Sequence, residues 1–194
     1  MADYDERTAL LVVDIQNDFA DPKGSLYVAG GEDVVPVAND AIEAALAGGA
    51  SVFYTQDWHP GSTPHFKKDG GIWPVHCVKG TWGAEFHPGL HVKGEVVQKG
   101  TGGEDGYSGF TVQEPDSGEQ HPTALETLLR DRNIERVVVA GLATDYCVRE
   151  TALDALRKGF ETVVLGDATR PVELDEGDGE RAFEDIRRSG GVIE

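Results

Sequence analysis

The chain has 194 residues, 35 of them acidic and 17 basic, giving a formal net charge of −18. The length fits one domain spanning 1–194, and 39% hydrophobic residues together with 25 glycines is an ordinary supply for a globular core, which argues against disorder. So acidic a chain repels phosphate backbones and anionic lipid, so no nucleic acid and no membrane is expected as partner. Its scarcity of lysine points to a salt-rich, halophilic interior where screening weakens self-repulsion.

The first apolar run, Ala9-Leu10-Leu11-Val12-Val13, does not alternate. A continuous β-branched and leucine run is the pattern of a strand buried on both faces, as in a parallel sheet, and Asp14 ends it. A helix is expected next, with Asp33 as N-cap and Pro36 in its first turn. Val34, Val37, Ala38, Ala41, Ile42 and Ala45 recur at helical spacing, and Gly48-Gly49 stops it. Ser51–Thr55 is the second strand, with Asp57 just past its end. From Trp58 to Gly94 the chain is irregular and rich in Gly, Pro and His, which in a compact domain usually signals function. Glu95–Gln98 reads as a short strand ending at Lys99. Pro122–Arg132 reads as a helix with Leu125, Leu128 and Leu129 inward, Arg136–Ala140 as a strand, and 145–158 as a helix. Glu161–Leu165 is a further strand, Arg181–Arg188 a helix through Ala182, Phe183 and Ile186, and Val192-Ile193 a last strand. The acidic stretches 114–119 and 173–180 read as solvated loops. The alternation predicts a three-layer α/β/α fold around a mainly parallel sheet of about six strands.

The N-terminal residues contain no basic region and no apolar stretch of signal-peptide length, and Ala9–Val13 is too short to span a bilayer. Cys77 and Cys147 are the two cysteines; a secreted scaffold more often carries several, so both are expected as thiols in a cytoplasmic protein.

In an open parallel sheet the ligand crevice lies beyond the carboxyl ends of the strands. Asp14, Asp57, Lys99 and the 141–147 loop all follow such ends, so distant parts of the sequence converge on one rim. Cys147 falls in the first turn of a helix, where the dipole favours a thiolate, although a lone Cys also reads as a small buried hydrophobe. Lys99 and Asp14 end interior strands, where unpaired charge is unfavourable, so they are expected to pair. Beside a thiol such a pair supplies a base and an anion stabiliser. Asp57 and His59, two apart in an extended segment, point the same way and can grip one ion. His76, 17 residues after His59, completes a three-ligand site, and His65 is a candidate fourth. Chance proximity is the competing explanation in a chain with six histidines. His87, His91 and His121 read as surface or loop residues.

Five segments together resemble a known family. They are Leu11-Val12-Val13-Asp14-Ile15-Gln16-Asn17-Asp18-Phe19, Thr55-Gln56-Asp57-Trp58-His59-Pro60, Trp73-Pro74-Val75-His76-Cys77-Val78 with Gly80-Thr81, Lys99-Gly100 with Tyr107-Ser108-Gly109-Phe110, and Gly141-Leu142-Ala143-Thr144-Asp145-Tyr146-Cys147-Val148. In this order they resemble the nicotinamidase group of isochorismatase-like cysteine hydrolases over nearly the whole chain. The resemblance implies a catalytic Asp14, Lys99 and Cys147, and one divalent metal ion on Asp57, His59 and His76. Zinc is the first expectation and iron or manganese the alternatives, with His65 a ligand in some members only. It further implies a cis peptide at Leu142–Ala143, an oxyanion site from the Ala143 and Cys147 amides, and a ring pocket lined by Phe19, Trp73 and Tyr107. The implied activity is hydrolysis of nicotinamide to nicotinate and ammonia through a cysteine thioester, in NAD salvage and pyridine nucleotide biosynthesis, with pyrazinamide as a side substrate. An amidohydrolase for N-carbamoyl or ureido compounds is the runner-up. A non-enzymatic binding protein or a redox protein using both cysteines fits less well, and a homo-oligomer stays open. The chain departs from the family pattern at Phe66-Lys67 and in the Gly-rich, acidic loop Gly102-Gly103-Glu104-Asp105-Gly106.

Overall fold

The computed structural model describes residues 3–115 and 117–194. The main sheet has six strands: β1 (Thr8–Val13), β2 (Ser51–Asp57), β3 (Glu95–Lys99), β6 (Arg136–Leu142), β7 (Glu161–Arg170) and β8 (Val192–Ile193). They lie in the order β3-β2-β1-β6-β7-β8, and every neighbouring pair is parallel. The non-alternating apolar runs are explained by burial on both sides. Leu10, Val12, Val138 and Ala140 face α2 (Gly31–Ala47) through Val34, Ala38, Ile42 and Ala45. Leu11, Val13, Val137 and Val139 face the opposite layer, built from α3 (Leu125–Asp131), α4 (Arg149–Arg157) and α5 (Asp178–Arg188) through Leu125, Leu129, Ala152, Ala155 and Ile186. A short helix, α1 (Asn17–Ala20), follows β1. Among the described residues no helix is long and apolar enough to cross a membrane.

Strand order is what positions the site. From β1 the chain builds outward through β2 to β3, then returns to the other side of β1 with β6 and continues to β7 and β8. The direction of winding reverses between β1 and β6, the switch point at which parallel sheets open a crevice at their carboxyl ends. Asp14 leaves one lip of that crevice and Leu142 the other. Gly141 stands between the two, at φ 124, and a Cβ there would lie 2.0 Å from the Val13 carbonyl oxygen. The Gly141→Ala variant is therefore expected to lose about 3 kcal/mol or more, a fall in melting temperature on the order of 6–12 °C by thermal unfolding.

Several boundaries differ from expectation. The N-cap of α2 is Gly30, at φ 75, and Asp33 lies inside the first turn; Pro36 accordingly falls in the second turn. The helix expected at Pro122 starts at Leu125, because residues 120–122 pair with Thr111–Gln113 in an antiparallel hairpin, β4 (Thr111–Gln113) and β5 (Gln120–Pro122). This hairpin is short, polar and largely exposed, so no hydrophobic period marks it. Asp116, in the acidic stretch between its strands, lies outside the described residues. Leu125 and Leu129 are buried and Leu128 is half-buried. Strand β7 runs on to Arg170, and α5 begins at Asp178, so residues 178–180 are helical and not loop. The segment 58–94 is irregular as expected, with 3₁₀ turns at Lys67–Asp69 and Trp82–Ala84 and isolated bridges that pair His59 with Val78 and Phe66 with Trp73. Of the histidines read as surface residues, His91 is exposed while His87 and His121 are half-buried.

Candidate active site

Three strand ends meet at one buried ammonium. Asp14 follows β1 at φ 47, a left-handed conformation that Asp tolerates better than most residues. Its Oδ1 accepts a hydrogen bond from the Thr55 hydroxyl at 2.6 Å, and its Oδ2 lies 2.9 Å from Lys99 Nζ. Lys99, the last residue of β3, also donates to Asp57 Oδ1, and its Nζ stands 3.7 Å from Cys147 Sγ. Asp57 is held from behind by Gln16, whose amide donates to the Asp57 carbonyl at 2.7 Å and accepts the Asp57 N–H at 2.8 Å. Cys147 lies in a π-helical turn, Thr144–Val148, that leads into α4, and the preceding Leu142–Ala143 peptide is cis, as the resemblance implied.

The charges decide where the proton rests. Burial raises the Asp14 carboxyl above its ordinary range, the Lys99 ammonium only partly reverses this, and the neighbouring Asp57 adds to it. Burial opposes ionisation of Asp57 as well, but Lys99 and the adjacent His59 outweigh it and hold Asp57 well below the usual carboxylate range. Lys99 itself loses by burial and gains more from Asp14 and Asp57, so it stays charged far above its ordinary range. Burial pushes the Cys147 thiol up; Lys99 pulls against this, and Asp14 and Asp57 add to the rise. Burial and the two carboxylates thus favour the protonated thiol, which leaves a nearby carboxylate to take its proton, the role expected of Asp14. The resting site is a thiol beside a carboxylate of enhanced basicity, with a fixed cation within reach of both.

A second cluster adjoins the first. His59, His65 and His76 are all buried, and each offers a ring nitrogen within 4.8 Å of the others. His59 is fixed by backbone bonds to Cys77 and Lys79, at 2.9 and 2.8 Å, yet both its ring nitrogens are buried without a hydrogen-bond partner. Gly100, at φ 72, makes room for that ring: a Cβ there would lie 2.6 Å from His59 Nδ1. His76 donates Nδ1–H to the Pro74 carbonyl at 2.8 Å, and burial lowers its pKa to about 4, so it is neutral near pH 7. Asp57 Oδ2 lies 3.7 Å from His59 Nε2, while the other oxygen of Asp57 turns to Lys99. Asp57 thus stands between the two clusters, and the structure gathers His65 with His59 and His76. Orphaned buried imidazole nitrogens with an adjacent carboxylate are a donor set that fits a divalent transition metal.

Each cluster reaches one pocket, the first through Cys147 and the second through His65 and His76. Phe19, Trp73 and Tyr107, expected there, line it with Asp57, His65, His76, Ala143 and Cys147. Trp73 donates its indole N–H to the Tyr107 hydroxyl at 2.9 Å and packs edge-on against Tyr146, ring centroids 4.9 Å apart. Leu26, Val28, Tyr146, Leu142 and Val172 complete the lining. The sequence does not single out these five as lining residues, nor Thr55, Gln16 and Asp105 as partners of the site. Gln16 and Thr55 do carry a usable signal, since each is a polar residue in or beside a run buried on both faces. Cys77 and Cys147 are both free thiols, as expected.

A family profile described as the isochorismatase domain matches residues 8–193. The chain belongs to the isochorismatase family. Within that family it is 38% identical to the nicotinamidase of Escherichia coli K12 over 95% of this chain and 93% of that protein. The crystal structure of a Pyrococcus horikoshii pyrazinamidase in complex with zinc superposes with a TM-score of 0.86 at 40% identity, covering 97% of this chain and 98% of the other. The L. infantum protein PnC1 in complex with nicotinate superposes with a TM-score of 0.89 at 36% identity, covering 100% and 95%.

Proposed function

We propose that this isochorismatase-family chain is a nicotinamidase, a single-domain amidohydrolase that converts nicotinamide to nicotinate and ammonia. The observation that carries the reading is that Cys147, backed by Lys99 and Asp14, lines the same aromatic-walled pocket as Asp57, His65 and His76. The pyridine ring stacks among Phe19, Trp73 and Tyr107, which puts its carboxamide at Cys147. Asp14 removes the thiol proton, and Lys99 offsets the negative charge that develops on sulfur. The sulfur attacks the carboxamide carbon, and the Ala143 and Cys147 amides receive the oxyanion; one such donor is typically worth about 100–1,000-fold in rate. Asp14 then returns the proton to the departing nitrogen, ammonia leaves, and a thioester to Cys147 remains. Water, deprotonated by Asp14, attacks the thioester carbon and frees nicotinate and the thiol.

Asp57, His59 and His76, with His65, are the residues that would hold a divalent cation. Zinc is the first candidate, and iron or manganese also suit this donor set. When bound, the cation supplies a fixed positive charge at the depth of the pocket that attracts the lone pair of the ring nitrogen. The cytoplasm is the proposed compartment, in keeping with two free thiols, and NAD salvage the proposed role.

The test is ammonia release from nicotinamide, pyrazinamide, and an N-carbamoyl and a ureido compound, from low to multimolar KCl. Turnover of the two ring carboxamides and none of the others is expected. Turnover confined to the ureido arm would replace the reading with its runner-up. The charge of −18 implies that stability falls in dilute buffer, so the melting temperature should climb with KCl. A flat melting curve across the salt series would remove the halophilic reading and leave the chemistry untouched.

A further inference from the structure

The Gly-rich acidic loop that departs from the family pattern reaches the three-histidine cluster through one side chain. Asp105 Oδ1 lies 2.6 Å from His65 Nδ1. A carboxylate here can only accept, so Nδ1 carries a proton, and in the neutral ring Nε2 is the nitrogen that keeps its lone pair. His76 is set the same way, because its Nδ1 faces the Pro74 carbonyl. Asp105 is itself held firmly. Its N–H donates to the Gln113 carbonyl at 2.7 Å, and its carbonyl accepts the Gln113 N–H at 2.6 Å, which ties it to β4. The same Oδ1 accepts the Gly106 N–H at 2.7 Å. On the other side of the gap, the Thr63 hydroxyl donates to the Gly103 carbonyl at 2.9 Å and joins the loop carrying His65 to the loop carrying Asp105.

From this geometry we infer that Asp105 is a positioning residue for the metal centre. Anchored by the β4–β5 hairpin, it fixes the His65 ring and its tautomer so that Nε2 serves as an additional ligand. The inference rests on the metal-binding reading above. It also gives the otherwise peripheral hairpin a task, since its edge supplies the backbone clamp on Asp105. A carboxylate that orients a ligating histidine typically accounts for about 10–100-fold in metal affinity.

The experiment is zinc titration of the apoprotein in competition with a chromophoric chelator. It is run on the wild type and on Asp105→Ala, Asp105→Asn, His65→Ala, the Asp105→Ala/His65→Ala double variant and, as a control on the same loop, Glu104→Gln. Asp105→Ala is expected to weaken zinc binding by about 10–100-fold, with Asp105→Asn, which keeps an acceptor oxygen, losing less, and Glu104→Gln unchanged. The double variant should bind no more weakly than His65→Ala alone, since Asp105 acts through that ring. Unchanged affinity in Asp105→Ala, or losses that simply add in the double variant, would overturn the inference. A measurement on the wild type guards against misfolding of the variants: long-range ¹H–¹⁵N spectra of the apoprotein should show His65 as the Nδ1–H tautomer, and the Nε2–H tautomer would overturn it. His59→Ala and His76→Ala separate the two levels. If both keep wild-type zinc affinity, the metal centre itself fails; if they lose it while Asp105→Ala does not, only the role of Asp105 fails.

Discussion

Cys147→Ala is expected to abolish ammonia release from nicotinamide while leaving the fold in place. Loss of the nucleophile from a site of this kind lowers turnover by about 10⁴–10⁶-fold, because no other group can form the thioester. Cys147 Sγ lies 3.7 Å from the buried ammonium of Lys99 and close to Asp14 and Asp57, but Lys99 reaches both carboxylates directly, so removal of the thiol leaves the Lys99 contacts to Asp14 and Asp57 intact. The melting temperature is therefore expected to stay within a few degrees of the wild type, and zinc binding to stay the same. The check pairs a sensitive ammonia assay with thermal unfolding. Retained activity in the folded variant would end the nucleophile assignment, whereas an unfolded variant would show instead that the thiol is needed for packing.

Lys99→Met produces the largest expected loss of stability. The side chain is almost completely buried, and its ammonium neutralises two buried carboxylates at once. Methionine matches its length and removes the charge, leaving Asp14 and Asp57 facing each other. Breaking a buried pair by deleting one partner typically destabilises by about 3–5 kcal/mol. For a domain of this size that is a fall on the order of 6–20 °C in melting temperature. The pH dependence has a definite sign. Lys99 is raised in the folded state, so its contribution is fully present below its unfolded pKa and is lost only as pH rises through a folded value well above 10.5. Asp57 is depressed, so its contribution holds above its unfolded value and is lost only in strong acid. Toward alkaline pH, up to about 9, the deficit of the variant should be constant; toward acid Asp14, which burial already raises, is the first carboxylate to protonate once Lys99 is gone. As the carboxylates left without a cation take up protons, the deficit should narrow. Urea unfolding of both proteins over this range tests it, and a deficit below about 1 kcal/mol at neutral pH would mean that the carboxylates do not depend on Lys99.

Much of the fold and the site is legible in the order of the amino acids. Runs such as Leu10-Leu11-Val12-Val13 and Val137-Val138-Val139 carry the parallel sheet in their lack of alternation, because each is buried on both faces. Asp14, Asp57 and Lys99 stand out because charge at the end of such a run needs a reason. Helix starts are less legible, since α2 begins at a left-handed glycine without a side-chain cap and α5 begins at Asp178 in a stretch that reads as acidic loop. The β4–β5 hairpin leaves no trace, because three-residue exposed strands obey no hydrophobic period.

By itself the sequence determined the fold class, the strand ends that carry chemistry and the residue types gathered there, because burial on two faces and charge at strand ends are written in local order. Only the tertiary structure decided which groups touch. It put Asp57 between the lysine and the histidines, turned the proton balance toward a thiol and a basic carboxylate, and brought Asp105 from a loop to His65. The physical reason is the same in each case: burial and Coulomb interactions at a few ångströms depend on distances that spacing along the chain does not encode. The winding reversal between β1 and β6 sets those distances.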